Sequence, residues 1–350
     1  MSLKSKIVGI ILMVSIAGFV MAGGGAAPAA GGSQASGSQA SAKKIIMRVA
    51  NVWGPTHPNS RGVDNIFKPQ IEKKTNGATS VEVYHSGVLG NEQTLWDSVR
   101  NGSIEVGILG ALFGTEYKPL LICDWPFLYR DIEHSKKTWT GSVGEEFMKD
   151  FNTKYASQMN ILSIGPNSAR TFTSNKKLTS FDDFKGQKFR MPGTVVHTGI
   201  VADLGGSAQV IPLTDLFNAL QTGVVDGQDN GMVTVLSEKF YEVQKFLYET
   251  NHIVAIMPTV IHAPFLNSLS ADQQKIIRDA AKEASIWAWD EYMKSLDNDR
   301  KKLRELGMTI TACSESDRAK INEAIQPTLK KMLSENNWAY ALMEKVKNVK

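Results

Sequence analysis

Arg190 is the residue best placed to do chemistry. It stands in FKGQKFRMPG, where 187–191 reads as a strand that Pro192 and Gly193 end just after the arginine. Along that strand Phe189 and Met191 share one face, and Lys188 and Arg190 the other. Ligands of open α/β sheets bind beyond the carboxyl ends of the strands. A guanidinium placed there offers a rigid fork that matches both oxygens of a carboxylate. The other reading is a surface arginine paired with Asp182 or Asp183. Further on, in NALQTGVVDGQDN, the polar cluster Gln228, Asp229 and Asn230 closes a Gly-rich turn. The Asn230 side chain can both donate and accept, so it could read a carboxylate or a hydroxyl. It reads equally as a turn-former, because Asp, Gly and Asn favour turns.

Other candidates follow neighbouring strands. Arg170, in ARTFTSNK at the start of a strand, is a second cation for another carboxylate, a hydroxyl or a keto oxygen, or else an ordinary solvated arginine. Asn51, Trp53 and His57 follow the first strand and could line the opposite wall of a cleft. Trp53 would supply an apolar cover, and Asn51 or His57 a polar contact. His57 also reads as a plain loop histidine beside Pro58. The stretch 110–113, from Gly110 to Phe113, follows the third strand, where bare backbone would let a ligand approach closely.

The patterns that would carry catalysis do not occur. The chain has no GxSxG, HExxH, P-loop or CxxC sequence. Its six histidines include no close pair with metal-ligand spacing, and GILGALFG has the wrong glycine spacing for a dinucleotide fingerprint. The residues point to a protein that grips a small organic acid and does nothing further to it, with no cofactor and no metal. An exported enzyme acting on a carboxylate is the reading from another class, and a sensory binding protein presenting its ligand to a receptor is a third.

The elements that must position these residues alternate. A strand over 45–51, a helix over 60–74, a strand over 80–84, a helix over 92–100 and a strand over 105–109 make the pattern of a parallel sheet covered by helices. A second α/β unit occupies roughly 167–253, with a short helix over 181–184 capped by Ser180, and helices over 194–204 and 214–221. The span 271–306 contains no Gly or Pro and reads as one helix. Ser270 and Gln273 make a capping box, and apolar residues recur at helical spacing from Ile277 to Leu296. Its length of roughly 54 Å exceeds a small domain, so the helix either bridges two domains or breaks. The apolar stripe lapses over 297–302, as in a stretch crossing solvent between lobes.

At 350 residues the chain has room for two domains, and 42% apolar with 21% charged residues is ordinary for a globular protein. The net charge of +4 falls to +2 without residues 1–22, which hold Lys4, Lys6 and no acid. No basic stripe of the kind a nucleic-acid binder carries is present. Residues 1–22 read as a signal peptide: a cationic start, an apolar run over 7–21, and Val20 and Ala22 at a cleavage site. An uncleaved signal anchor is the alternative. Residues 23–43 form a Gly/Ala/Ser linker. Export permits a disulfide, but Cys123 and Cys313 lie far apart in sequence and read as two separate thiols.

The segments GVLGNEQTLWDSVRNGSIEVG, DWPFLYRD, FKGQKFRMP, ALQTGVVDGQDN and KFYEVQKFLYETNHI together resemble the solute-binding proteins of tripartite ATP-independent periplasmic (TRAP) transporters, of the dicarboxylate- and sialic-acid-binding type. The resemblance covers about 45–340. It implies a two-lobe periplasmic binding protein fold of the α/β class, with a hinge and a long helix spanning both lobes. Lobe I would take 44–166 and 254–295, and lobe II 167–253 and 296–350. It implies capture of a C4-dicarboxylate or sugar acid in the periplasm and delivery to a TRAP membrane permease. Arg190 matches the arginine that pairs with the ligand carboxylate, Arg170 a second arginine on carboxylate or hydroxyl oxygens, and Asn230 an asparagine holding the same carboxylate. Leu213 falls where a pocket aromatic is common, which puts stacking there in doubt. The usual Glu-Asn-Pro is Asp229-Asn230-Gly231 here. Gly110 or a neighbour stands where sialic-acid binders carry a glutamate, which argues against sialic acid.

Overall fold

A computed structural model describes residues 44–110, 112, 114, 117–336 and 338–350, without the side chains of Cys123 and Trp338. The expected signal peptide, the linker, Phe113 and any pairing of Cys123 therefore lie outside the described residues. No helix among the described residues is long and apolar enough to cross a membrane.

The strands are β1 (Ile45–Ala50), β2 (Thr79–Tyr84), β3 (Val106–Ile108), β4 (Met159–Ser174), β5 (Lys188–Met191), β6 (Ser207–Val210), β7 (Gly227–Asn230), β8 (Phe246–His262) and β9 (Thr309–Ala312). They form one sheet in the order β2-β1-β3-β8-β4-β7-β5-β6, with β9 beside β8. Two parallel groups flank the long antiparallel pair β4 and β8. β1, β2 and β3 run parallel at one end, and β5, β6 and β7 run parallel at the other. β3 is antiparallel to β8, β8 to β4, and β4 to β7. The two groups therefore point their carboxyl ends at each other. β3 ends level with Ser163 of β4, and β7 ends at Thr171. The stretch of β4 between those levels is the floor of the space where ligands of such sheets bind.

That floor is irregular. The β4–β8 pairing shifts register at Ile161/Ser163, Pro166/Ser168 and Arg170/Phe172, and Asn251 in β8 has φ +43. Backbone groups freed there find side-chain partners on the helix Ala271–Glu305. Ile164 lies opposite Pro258, which has no N–H to offer, and its carbonyl accepts from Ser285 Oγ at 2.7 Å and Trp289 Nε1 at 3.2 Å. Beside the next shift, the Ala169 N–H donates to the Tyr292 hydroxyl at 2.6 Å.

The long helix is continuous over 35 residues and opens with the Ser270/Gln273 capping box. Its stretch over 297–302 does not cross solvent as expected: Asp299 is buried and accepts from Ser295, and Arg300 pairs with Glu249 on β8 at 2.8 Å. The expected helix over 60–74 is an α–π–α run, Pro58–Gly62, Val63–Phe67 and Lys68–Lys74. The Gly-rich turn ends sooner than its composition suggests. Gln228, Asp229 and Asn230 lie on the buried strand β7, because neighbouring strands satisfy their polar groups. Gln228 Nε2 donates to Thr173 Oγ1 at 2.8 Å, and Thr171 Oγ1 donates to the Asn230 carbonyl at 2.9 Å. Arg170 lies within β4 rather than at the start of a strand.

Replacing Tyr292 by Phe leaves the buried Ala169 N–H without its acceptor. Urea unfolding of the variant should show a loss of roughly 1–3 kcal/mol.

Candidate functional site

A narrow buried cavity lies between the facing strand ends, lined by Trp53, Glu92, Gly110, Asp124, Asn167, Arg170, Arg190, Pro192, Leu213 and Asn230. Trp53 and Gly110 follow β1 and β3, Asn167 and Arg170 rise from the floor in β4, and Arg190, Leu213 and Asn230 come from the ends of the β5–β7 group. Six of the nine sequence candidates therefore converge: Arg190, Arg170, Asn230, Trp53, Gly110 and Leu213.

Asn51 and His57 do not reach the cavity lining. Asn51 shapes its own loop, accepting from the Trp53 N–H at 3.0 Å and meeting His85 Nδ1 at 2.9 Å. His57 is fully buried and caps the helix Pro58–Gly62, with its Nδ1 accepting from the Asn59 N–H at 3.3 Å. Phe113 lies outside the described residues.

The surface-pair reading of Arg190 does not hold, because Asp183 binds Thr179 and Ser180 while the arginine is buried. Arg190 and Lys188 also part company: Lys188 is exposed, and the strand carries Arg190 inward. The Arg190 Nε donates to the Ile211 carbonyl at 2.6 Å, its one hydrogen bond among the described residues. Burial, followed by the charge of Arg170, pulls the Arg190 guanidinium down to about 10, which leaves it charged at neutral pH. Arg170 is already paired. Its Nε donates to Asp229 Oδ1 at 2.6 Å, and its Nη2 binds both that oxygen and the Asp229 carbonyl. His252 Nε2 lies 3.2 Å from Asp229 Oδ2. Burial alone would raise the Asp229 carboxyl, but the Arg170 charge and the His252 contact hold it well below its usual range.

Three polar lining residues were missed by the sequence reading, and Pro192, read only as the end of its strand, lines the cavity as well. Glu92 begins the helix Glu92–Asn101, where an acid is normally a helix-end charge. Here it is buried, and its Oε1 accepts from the Gly110 N–H at 2.9 Å. A Cβ at position 110 would collide with that oxygen, so the bare backbone serves the glutamate. Asp124 is the single charge in the apolar run LLICDWPFLY, and that isolation was the available signal. Among the described residues its Oδ1 has no hydrogen-bond partner, and its Oδ2 lies 3.6 Å from His197 Nε2. Asn167 Oδ1 likewise has none among them. Burial pushes the Asp124 carboxyl up to about 7, and the charges of Asp229 and Glu92 push the same way against Arg170. Burial also raises Glu92, opposed by Arg190, the Gly110 N–H and Arg170. The cavity thus sets one guanidinium with spare donors against carboxyl and amide oxygens suited to hydroxyl groups. No group of His, Cys, Asp and Glu among the described residues is arranged to hold a metal ion.

The family described as bacterial extracellular solute-binding protein, family 7, matches residues 49–336. The C4-dicarboxylate-binding periplasmic protein DctP of Rhodobacter capsulatus is 27% identical over 252 residues, covering 71% of this chain and 74% of its own length. The 2,3-diketo-L-gulonate-binding periplasmic protein YiaO of Escherichia coli is 28% identical over 220 residues, covering 62% and 66%. A TRAP periplasmic solute-binding protein from Haemophilus influenzae, solved with bound L-gulonate, superposes with a TM-score of 0.83 at 28% identity, covering 88% of this chain and all of the other.

Asp229→Asn leaves Arg170 as a buried charge without its counter-ion, and chemical denaturation should show a loss of roughly 3–5 kcal/mol. Asp124→Asn acts in the opposite direction. Because the folded-state value of Asp124 lies above its ordinary 3.8, the native protein gives up stability as pH rises from 3.8 to about 7. Thermal unfolding should show no advantage for the variant in acid and a gain on the order of 2–4 kcal/mol above neutrality.

Proposed function

The chain belongs to the bacterial extracellular solute-binding protein family 7, and on that premise we propose that it captures a sugar acid, a monocarboxylate bearing several hydroxyls, and hands it to a TRAP membrane permease. The family consists of the binding components of transporters, so the chain is a binding protein and not an enzyme. Its setting is periplasmic by family, and export through the segment 1–22 is part of the proposal.

The observation that carries the ligand class is the pairing of Arg190, with its spare donors, and the carboxyls of Glu92 and Asp124 in one cavity. The ligand carboxylate docks on Arg190, with Arg170 and Asn230 beside it, and the hydroxyl chain lies toward Glu92, Asp124 and Asn167. A C4-dicarboxylate fits this arrangement less well. Its second carboxylate would face two acids, and like charges repel strongly in a dry cavity. The gulonate bound by the Haemophilus protein has the chemistry favoured here.

Capture needs motion, because the polar side chains lining the cavity are buried and the cavity is narrow. In this reading the two sheet groups belong to two lobes, 44–166 with 254–295 and 167–253 with 296–350, that hinge where β4 and β8 slip register. Contacts at the mouth support a closed form: the Gly54 N–H donates to Glu238 Oε1 at 2.7 Å, and Gly87 packs against Thr214. A ligand touching both lobes favours closure through its differential contacts. Closure then removes water and strengthens the charge-assisted hydrogen bonds.

Arg190→Ala should weaken binding of L-gulonate by about thirtyfold or more, equivalent to at least about 2 kcal/mol, while the unfolding midpoint of the free protein holds. Titration calorimetry with gulonate and succinate checks both points. Unchanged affinity in the variant, or tighter binding of succinate than of any sugar acid, contradicts the assignment.

A further inference from the structure

The charges buried around the cavity do not balance once a ligand arrives. Arg170 and Asp229 cancel as a bonded pair, and Arg190 adds one positive charge. A single bound carboxylate neutralises Arg190. Any ionised carboxyl on Glu92 or Asp124 is then an excess negative charge in a closed, desolvated space, where it is costly. A proton taken up by one of the two acids removes one such charge.

Of the two acids, Asp124 has the poorer support for its charge. Glu92 accepts the Gly110 N–H and feels Arg190. Among the described residues Asp124 Oδ1 has no hydrogen-bond partner, and His197 Nε2 lies 3.6 Å from Oδ2. His197 is fully buried, and burial followed by the Arg170 charge holds it neutral. Its Nδ1 meets Thr194 Oγ1 at 2.7 Å. With that hydroxyl donating to Nδ1, the ring proton sits on Nε2 and faces Asp124 Oδ2. Among the described residues, the charged and titratable groups that act on Asp124 are His197 from the helix Val195–Asp203, Arg170 from β4, Asp229 from β7 and Glu92 from the helix Glu92–Asn101, and Arg190 from β5 lines the same cavity. Asp229 already occupies Arg170, and the ligand carboxylate takes Arg190.

We propose that binding of the ligand carboxylate is coupled to uptake of a proton by Asp124, whose neutral carboxyl then donates Oδ1–H to a ligand hydroxyl while Oδ2 faces His197. The proton comes from solvent before the cleft closes. This assigns Asp124 a share in specificity: it admits a hydroxyl oxygen at a position where a second carboxylate would compete for the same proton. The inference rests on the carboxylate reading of the cavity. Burial pushes Asp124 up to about 7 in the closed, ligand-free form, and a carboxylate bound beside it holds the proton on into mildly alkaline solution.

The test is calorimetric titration of L-gulonate into the full folded region, in phosphate and in Tris buffer, which differ widely in protonation enthalpy. Expected uptake is close to one proton at about pH 8, with Kd rising as pH rises through that range. In Asp124→Asn the uptake should vanish and Kd should become flat with pH, whereas Glu92→Gln should keep the uptake. Equal binding heats in the two buffers at about pH 8 overturn the proton coupling and leave carboxylate capture standing; this arm needs no variant. Uptake that persists in Asp124→Asn overturns the assignment to Asp124. No binding heat with gulonate, glucuronate or galactonate, once protein unfolded and refolded to remove any retained ligand has also been tested, overturns the carboxylate reading and this inference together.

Discussion

A guanidinium held away from water needs an anion, and this protein buries two of them side by side. The two are satisfied differently. Arg170 has its counter-ion built in, because Asp229 on the neighbouring strand β7 binds it and is braced by His252. Arg190 has only a backbone carbonyl for its Nε. The first pair fixes the floor of the site, and the second cation is left to be completed from outside. On the proposed function, that asymmetry makes a buried polar cluster, a costly feature in a core, a receptor for one negative charge. The carboxyls facing it limit what the rest of the ligand can be.

The topology exists to bring these groups together. Residues at the ends of two parallel strand groups would lie at opposite edges of an ordinary open sheet. Here β4 and β8 run through both groups and reverse one relative to the other, so the two sets of carboxyl ends converge. The long strands are irregular at their centre, where their pairing shifts register. The helix Ala271–Glu305 supplies hydrogen bonds to the backbone groups that the irregularity releases. Polar support for these shifts and polar lining of the cavity thus occupy the same few residues of β4.

Much of this was legible in the sequence where local chemistry and position agree. Arg190 could be picked out because Pro192 and Gly193 end its strand. The long helix could be read because its capping box and its apolar spacing agree. Strand β7 was misread as turn, since Gly-Gln-Asp-Asn has turn composition and only partners on β4 make it a buried strand. Asn51 and His57 stand at a strand end like Trp53, yet their side chains turn inward to hold the loop. Glu92 and Asp124 were both passed over. Their role depends on what lies across a cavity, which spacing along one chain does not record.

The most direct measurement is a crystal structure of residues 44–350 with L-gulonate. The account expects the carboxylate within hydrogen-bond distance of the Arg190 guanidinium, the hydroxyl chain directed at Glu92 and Asp124, and the Arg170–Asp229 pair intact. A ligand bound outside this cavity would contradict it. So would a carboxylate that leaves Arg190 unpaired and takes Arg170 from Asp229.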